Sequence, residues 1–288
     1  MTTPATTTPA TTTPRIDTHQ HFWTFKPENY SWISSDMSVL QRDYGPAELE
    51  PLLRASGIDA TVAVEARGHL EETDNLLRIA EQANFVRGVV GWLPLTDPDV
   101  GTLLDRYAQN PKLKGLRHWM GPGNDLHTMS SEALHRGVFL LERHRLSYDL
   151  MLWPPQLETV PAFVDRHPRQ TFILDHFAKP FIKDRQIEPW RTHVRELARR
   201  PNVYCKLSGL TTEADHQSWT LADLQPYFQA ALEAFTPSRL LFGSDWPVCT
   251  LATSYERWVE TVEKLTASLT EAERARIFGG TAIEAYRL

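Results

Sequence analysis

The chain has little cysteine: Cys205 and Cys249 are the only two in 288 residues. Two thiols make no disulfide framework, and a reducing compartment is the simpler setting. No basic block occurs, and 36 acidic against 30 basic residues leave a net charge of -6. That balance speaks against nucleic acid as a partner. No apolar run approaches the roughly 18–20 residues of a membrane span. Residues 1–14 are Thr, Pro and Ala repeats without the charged start and apolar centre of a secretory signal. Such a tract buries too little surface to fold, so it is expected to be a flexible tail on a cytoplasmic protein. Two catalytic signatures are also missing. No G-x-G-x-x-G follows an apolar run, which argues against a dinucleotide-binding open sheet. No G-x-S-x-G elbow is present, so nothing suggests a serine triad.

What is present is ordinary globular material, 41% hydrophobic and 23% charged, enough for a large core. From Arg15 onward, short β-branched runs alternate with segments of helical periodicity. Apolar runs fall near 16–23, 60–65, 85–92, 113–119, 146–152, 171–176, 202–207 and 239–245. Helical patterns lie between them, for example 46–56, 74–84, 98–110, 131–144, 157–167, 189–200 and 221–235. Strand–helix alternation implies parallel pairing with right-handed crossovers. Eight units over 15–288 predict a single-domain TIM (β/α)8 barrel. The stretch 24–44 is long for a connection, and long loops over strand ends are often functional.

In such a barrel the chemistry collects at the C-terminal strand ends. Those ends carry His19 and His21, then Glu65 and Arg67, Arg117 and His118, Asp149, Asp175 and His176 with Lys179 beyond, Lys206 and Ser208, and finally Asp245. Charge buried at strand ends is costly unless it pairs, binds metal or meets a ligand. So many of them converging predict an active site. Spacing by two should place Asp17, His19 and His21 on one strand face. Paired imidazoles suit metal ligation or recognition of an anionic oxygen. Lys206, inside a strand, needs an acidic neighbour. Only one of Arg117 and His118 should point inward. Trp23, Trp32, Trp92, Trp119, Trp153 and Trp246 cluster near strand ends, where aromatic faces suit either packing or sugar C–H surfaces.

Four pieces now carry a resemblance. They are Ile16-Asp17-Thr18-His19-Gln20-His21-Phe22-Trp23, Leu174-Asp175-His176-Phe177-Ala178-Lys179-Pro180, Cys205-Lys206-Leu207-Ser208-Gly209 and Phe242-Gly243-Ser244-Asp245-Trp246-Pro247-Val248-Cys249. In this order the chain resembles the amidohydrolase superfamily, and within it the L-fuconolactonase and L-rhamnonolactonase-like branch. The resemblance implies a carboxylic ester hydrolase that opens a sugar lactone to its hydroxy acid. It implies catalysis by Asp245 as general base with His19, His21 and His176 around the carbonyl. It also implies one divalent metal, zinc foremost, or none; His19, His21, His176 and Asp245 are the ligands if a metal is bound. Substrate contacts are expected from Arg117, His118, Glu65, Lys179, Trp153 and Trp32. Glu65 is also a candidate fourth ligand or a partner of Arg67, and Lys179 a candidate partner of Asp175.

Two departures matter. Binuclear members carry a bridging lysine at the fourth strand, where Arg117-His118 stand here, which argues against a two-metal site. Trp153 stands where fuconolactonase relatives are expected to have arginine, which leaves the sugar open. Two alternatives share part of the pattern: a metal-dependent decarboxylase of the same superfamily acting on an aromatic or muconate-type acid, and a catalytically silent barrel that binds sugar acids. A small-molecule lactone is the expected partner, with no membrane; the sequence is silent on whether the protein forms a homo-oligomer.

Overall fold

The computed structural model describes residues 13–118 and 129–288. The expected tail, apart from its last two residues, and Trp119 with the loop behind it lie outside the described residues.

Eight parallel strands form one sheet in sequential order. They are β1 (Ile16–Gln20), β2 (Ala60–Val64), β3 (Val86–Gly91), β4 (Leu113–Arg117), β5 (Ser147–Leu150), β6 (Phe172–Leu174), β7 (Val203–Leu207) and β8 (Leu240–Phe242). The ring closes at its upper rim, where Asp245 N donates to His19 O and His21 N donates to Trp246 O, both at 2.7 Å. The principal helices are α1 (Pro46–Ala55), α2 (Leu70–Gln82), α3 (Val100–Tyr107), α4 (Glu132–His144), α5 (Val160–Asp165), α6 (Trp190–Leu197), α7 (Leu221–Phe235), α8 (Tyr255–Leu265), α9 (Glu271–Ala275) and α10 (Thr281–Tyr286). The TIM barrel expected from strand–helix alternation is what forms. Among the described residues, no helix is long and apolar enough to cross a membrane.

The strands are buried on both faces, as an all-parallel sheet requires. Their outward side chains join the helices in one large apolar cluster. Their inward side chains make a second cluster of Ile16, Ala60, Val62, Val64, Val90, Ile173 and Leu241, closed from below by Ala282, Ala285 and Tyr286 of α10. Above this plug the inward positions turn polar. Asp149, Asp175 and Lys206 follow the period-two alternation of β5, β6 and β7, and all are buried.

β1 departs from simple alternation. Its register against β2 runs Asp17↔Thr61 and then Gln20↔Ala63, so one extra residue is taken up between them. Such a bulge reverses which face the following side chains occupy. His19 and His21 therefore meet in the barrel mouth, and Asp17 does not join them. Its carboxylate accepts from Ser244 N at 2.8 Å, from His19 N at 3.1 Å and from the Tyr255 hydroxyl of α8 at 3.1 Å. The one-face expectation for all three fails for that reason. Burial pushes the Asp17 carboxyl up to about 6, against the pull of those hydrogen bonds.

Candidate active site

The mouth is built around the Asp245 carboxylate. Its Oδ1 lies 3.3 Å from His21 Nε2, 3.8 Å from His19 Nε2 and 3.9 Å from His176 Nε2. Asp245 has φ +60°, a left-handed conformation that short polar side chains tolerate. Burial opposes its ionisation, but His176 and His21 outweigh that cost and hold the carboxyl below its ordinary range. It is therefore a carboxylate at neutral pH.

Each imidazole is set by its other nitrogen. His21 Nδ1 donates to Val64 O at 2.8 Å, because a carbonyl only accepts. His21 Nε2 lies 3.3 Å from Asp245 Oδ1, where a ring protonated on both nitrogens donates to the carboxylate and a neutral ring leaves a lone pair for a cation. His176 Nδ1 shares a hydrogen bond with Ser208 Oγ at 2.8 Å. His176 begins a run of left-handed residues, His176, Phe177, Ala178 and Lys179, with φ of 50°, 53°, 57° and 50°. Such residues cost about 1–2 kcal/mol each without a glycine. Buried Phe177 and the Trp190 Nε1–H bond to Phe177 O at 2.6 Å help hold the run in place. Gly209, at φ +69°, makes room for the ring: a Cβ there would lie 2.8 Å from His176 Nδ1. Gly243 does the same for His19, whose Cβ would stand 2.9 Å from the added carbon. Burial is the largest influence on both His19 and His176 and takes each well below the usual histidine range, with the Asp245 carboxylate pulling His176 back up.

Beneath the mouth lies a layer of buried charge. Arg117 Nε donates to Glu65 Oε1 at 2.7 Å, Nη2 to Glu65 O, and Nη1 to Asp175 Oδ2 at 3.1 Å. Lys206 Nζ meets Asp149 Oδ2 at 2.6 Å and Asp175 Oδ1 at 3.0 Å. Burial alone would raise Asp175, yet Lys206 and Arg117 hold it ionised, below its ordinary range. The acidic neighbour that Lys206 requires is thus supplied twice over.

Several expected pairings come out differently. Glu65 binds Arg117, whereas Arg67 pairs with Glu72 at 3.2 Å and Glu71 at 3.2 Å. Lys179 pairs with Glu213 at 2.8 Å rather than with Asp175. Arg117 points inward, and most of its fork is engaged in this layer rather than raised toward substrate hydroxyls. Its neighbour His118 stacks against Trp92 with centroids 6.4 Å apart. Trp153 is half-buried at the entry to a 3-10 turn, its backbone N–H donating to Gln156 Oε1 at 2.8 Å.

The long stretch after β1 supplies one wall. It is pinned by reciprocal backbone bonds between Trp23 and Tyr44, at 3.0 and 2.9 Å. Trp32 meets Trp23 edge-on at 5.9 Å and donates its Nε1–H to Ala66 O at 2.9 Å. Tyr30 donates to the buried Glu72 carboxylate at 3.0 Å. Nothing in the sequence singles out Glu72, Glu213 or Tyr286, which enters from α10 to bond Asp149 at 2.6 Å. No local pattern marks a helical tyrosine as a barrel residue.

Among the described residues, His19, His21 and Asp245 each bring one ligand atom within 4.8 Å of the others, as do His19, Asp175 and His176. The first set fits one divalent ion, because imidazole and carboxylate are ordinary zinc ligands. His21 Nε2 and the Asp245 carboxylate, 3.3 Å apart, would both face a cation bound there, with the ring neutral.

The amidohydrolase family model matches residues 16–288. The chain belongs to the amidohydrolase family. It is 42% identical over 287 residues to an L-fucono-1,5-lactonase of Burkholderia multivorans, covering 95% of this chain and 96% of that protein. A crystal structure of an amidohydrolase from Burkholderia multivorans with bound zinc superposes with a TM-score of 0.91 at 41% identity, over 96% of this chain and 99% of that one. A 5-carboxyvanillate decarboxylase from Sphingomonas paucimobilis, at 17% identity and a TM-score of 0.65 over 96% of this chain and 99% of that one, shares the fold alone.

Proposed function

We propose that this amidohydrolase opens a sugar lactone to its hydroxy acid. The carrying observation is the ionised Asp245 carboxylate set among three imidazoles at 3.3–3.9 Å, in a chain with lactonase relatives. Asp245 takes a proton from water as the water oxygen bonds to the ring carbonyl carbon. The carbonyl oxygen becomes an oxyanion, and N–H donors at the mouth stabilise it. The tetrahedral centre collapses, the ring C–O bond breaks, and Asp245 returns its proton to the leaving alkoxide. Atoms and charge balance: one water enters and one hydroxy acid leaves.

A divalent ion would be held by His21 and Asp245, and by His19 once its Nε2 gave up its proton, and would supply Lewis acidity toward the carbonyl. Trp32 and Trp153 offer aromatic faces to the sugar, and Lys179, His118 and Glu65 complete the candidate substrate set. The named activity of the B. multivorans relative makes an L-fuconolactone the first substrate to try. We assign the barrel to 15–288 as one domain and the protein to the cytoplasm.

The test is proton release in a pH-stat on a panel of aldonolactones, before and after chelation, with metal content measured on the same sample. Lactone opening with no carbon dioxide from aromatic acids supports the proposal. Carbon dioxide release without lactone opening replaces it with a decarboxylase. Tight sugar-acid binding without turnover replaces it with a binding barrel.

A further inference from the structure

We propose that Lys206 is a positioning residue of this site: it holds His19 with an Nε2–H turned to the mouth, as a hydrogen-bond donor to the substrate carbonyl, and so works against His19 as a metal ligand. The donor role rests on the lactonase reading above; the orientation of the ring rests on geometry alone.

Lys206 and His19 are both fully buried. A lysine ammonium has three protons and no lone pair. Three groups stand within reach of Nζ: Asp149 Oδ2 at 2.6 Å, Asp175 Oδ1 at 3.0 Å and His19 Nδ1 at 3.1 Å. The third contact is favourable only when Nδ1 is an acceptor. A neutral imidazole carries one N–H, so its proton then sits on Nε2. A protonated Nε2 has no lone pair to give a metal.

Two contacts pull the other way, and both are longer. Asp175 Oδ1 lies 3.5 Å from Nδ1, and Arg117 Nη1 lies 3.4 Å from Nε2. Arg117 is already engaged by Glu65 and Asp175, whereas Asp245 Oδ1 at 3.8 Å stands ready to accept from an Nε2–H. The lysine is itself held from below. The Tyr286 hydroxyl donates to the same Asp149 oxygen at 2.6 Å, and the Tyr286 ring centroid lies 5.5 Å from Nζ. A column of Tyr286, Asp149 and Lys206 thus runs from the C-terminal helix up the bore to His19. His21 contrasts with His19: its Nδ1 faces a carbonyl, so it presents a lone pair where His19 presents a proton.

The test uses the full-length chelated protein with 15N-labelled histidine rings, and assigns His19 by difference from His19→Gln. The expected result is an unprotonated Nδ1 and a protonated Nε2; the reverse overturns the proposal. In a second arm, Lys206→Met is titrated with Co2+ and Zn2+, following ligand-field absorbance and competition. Metal affinity should rise at least about tenfold, while kcat of the chelated enzyme on the best lactone falls about a hundredfold with KM nearly unchanged. Unchanged metal affinity in the folded variant overturns the proposal. If Lys206→Met does not fold, Lys206→Met/Asp149→Asn removes one charge of each sign and is judged by the same criteria. The ring-nitrogen and metal-affinity arms do not depend on lactonase activity, so an inactive wild type refutes the proposed function and leaves them to decide this inference.

Discussion

Asp245→Asn is the most direct perturbation of the site. Asparagine matches the size of the carboxylate and tolerates the left-handed backbone at φ +60°. The backbone bond from residue 245 N to His19 O does not involve the side chain, so β8 should stay docked on β1. The amide still faces His21 and can serve either tautomer of that ring, yet the charge that accepts the water's proton is gone. A positioned general base contributes about 10²–10⁴ in rate, or about 3–5 kcal/mol of barrier. We therefore expect kcat/KM on the best aldonolactone to fall by at least about a hundredfold, most of it in kcat. The assay is pH-stat proton release at neutral pH, run on chelated and zinc-loaded enzyme, with circular dichroism and thermal unfolding as controls for folding. A folded Asp245→Asn enzyme that keeps kcat/KM within about tenfold of wild type would refute the assignment of the base and the mechanism built on it.

Further outcomes follow from individual contacts. Ser208→Ala removes the partner of His176 Nδ1 at 2.8 Å; kcat should drop about tenfold with KM little changed, and an unaltered kcat would show that the ring needs no such tether. Tyr286→Phe leaves Asp149 with one fewer donor in a buried position, so urea unfolding should show a loss of about 1–2 kcal/mol. His167 is buried with its Nε2 2.7 Å from His135 Nδ1, and burial and the neighbouring His135 and Arg166 hold it down to about 4. Its unfolded value is near 6.5, so its contribution is complete above that pH and is lost as pH falls from about 6.5 to 4. Linkage makes this at most about 3 kcal/mol. Urea titrations at several pH values should show that decline, and His167→Leu should flatten it; an equally steep decline in the variant would reject the assignment.

The sequence by itself determined the scaffold and the positions of the chemistry. Strand–helix alternation is written in local periodicity, and a polar residue ending an apolar run marks a strand end whatever surrounds it. His19, His21, His176 and Asp245 could be singled out on that basis. Lys206 could be recognised as a charge in need of an acid, because burial of an unpaired ammonium is prohibitive. The tertiary structure decided who pairs with whom. Glu65 lies two residues from Arg67 yet binds Arg117 across the intervening strand β3, because ion pairs follow strand stagger rather than sequence distance. The bulge in β1 turned Asp17 away from the histidines, and nothing in an H-x-H spacing records a register shift. Tyr286 reaches Asp149 across 137 residues. Only closure of the ring brings a C-terminal helix under the bore, and with it the floor on which His19 rests.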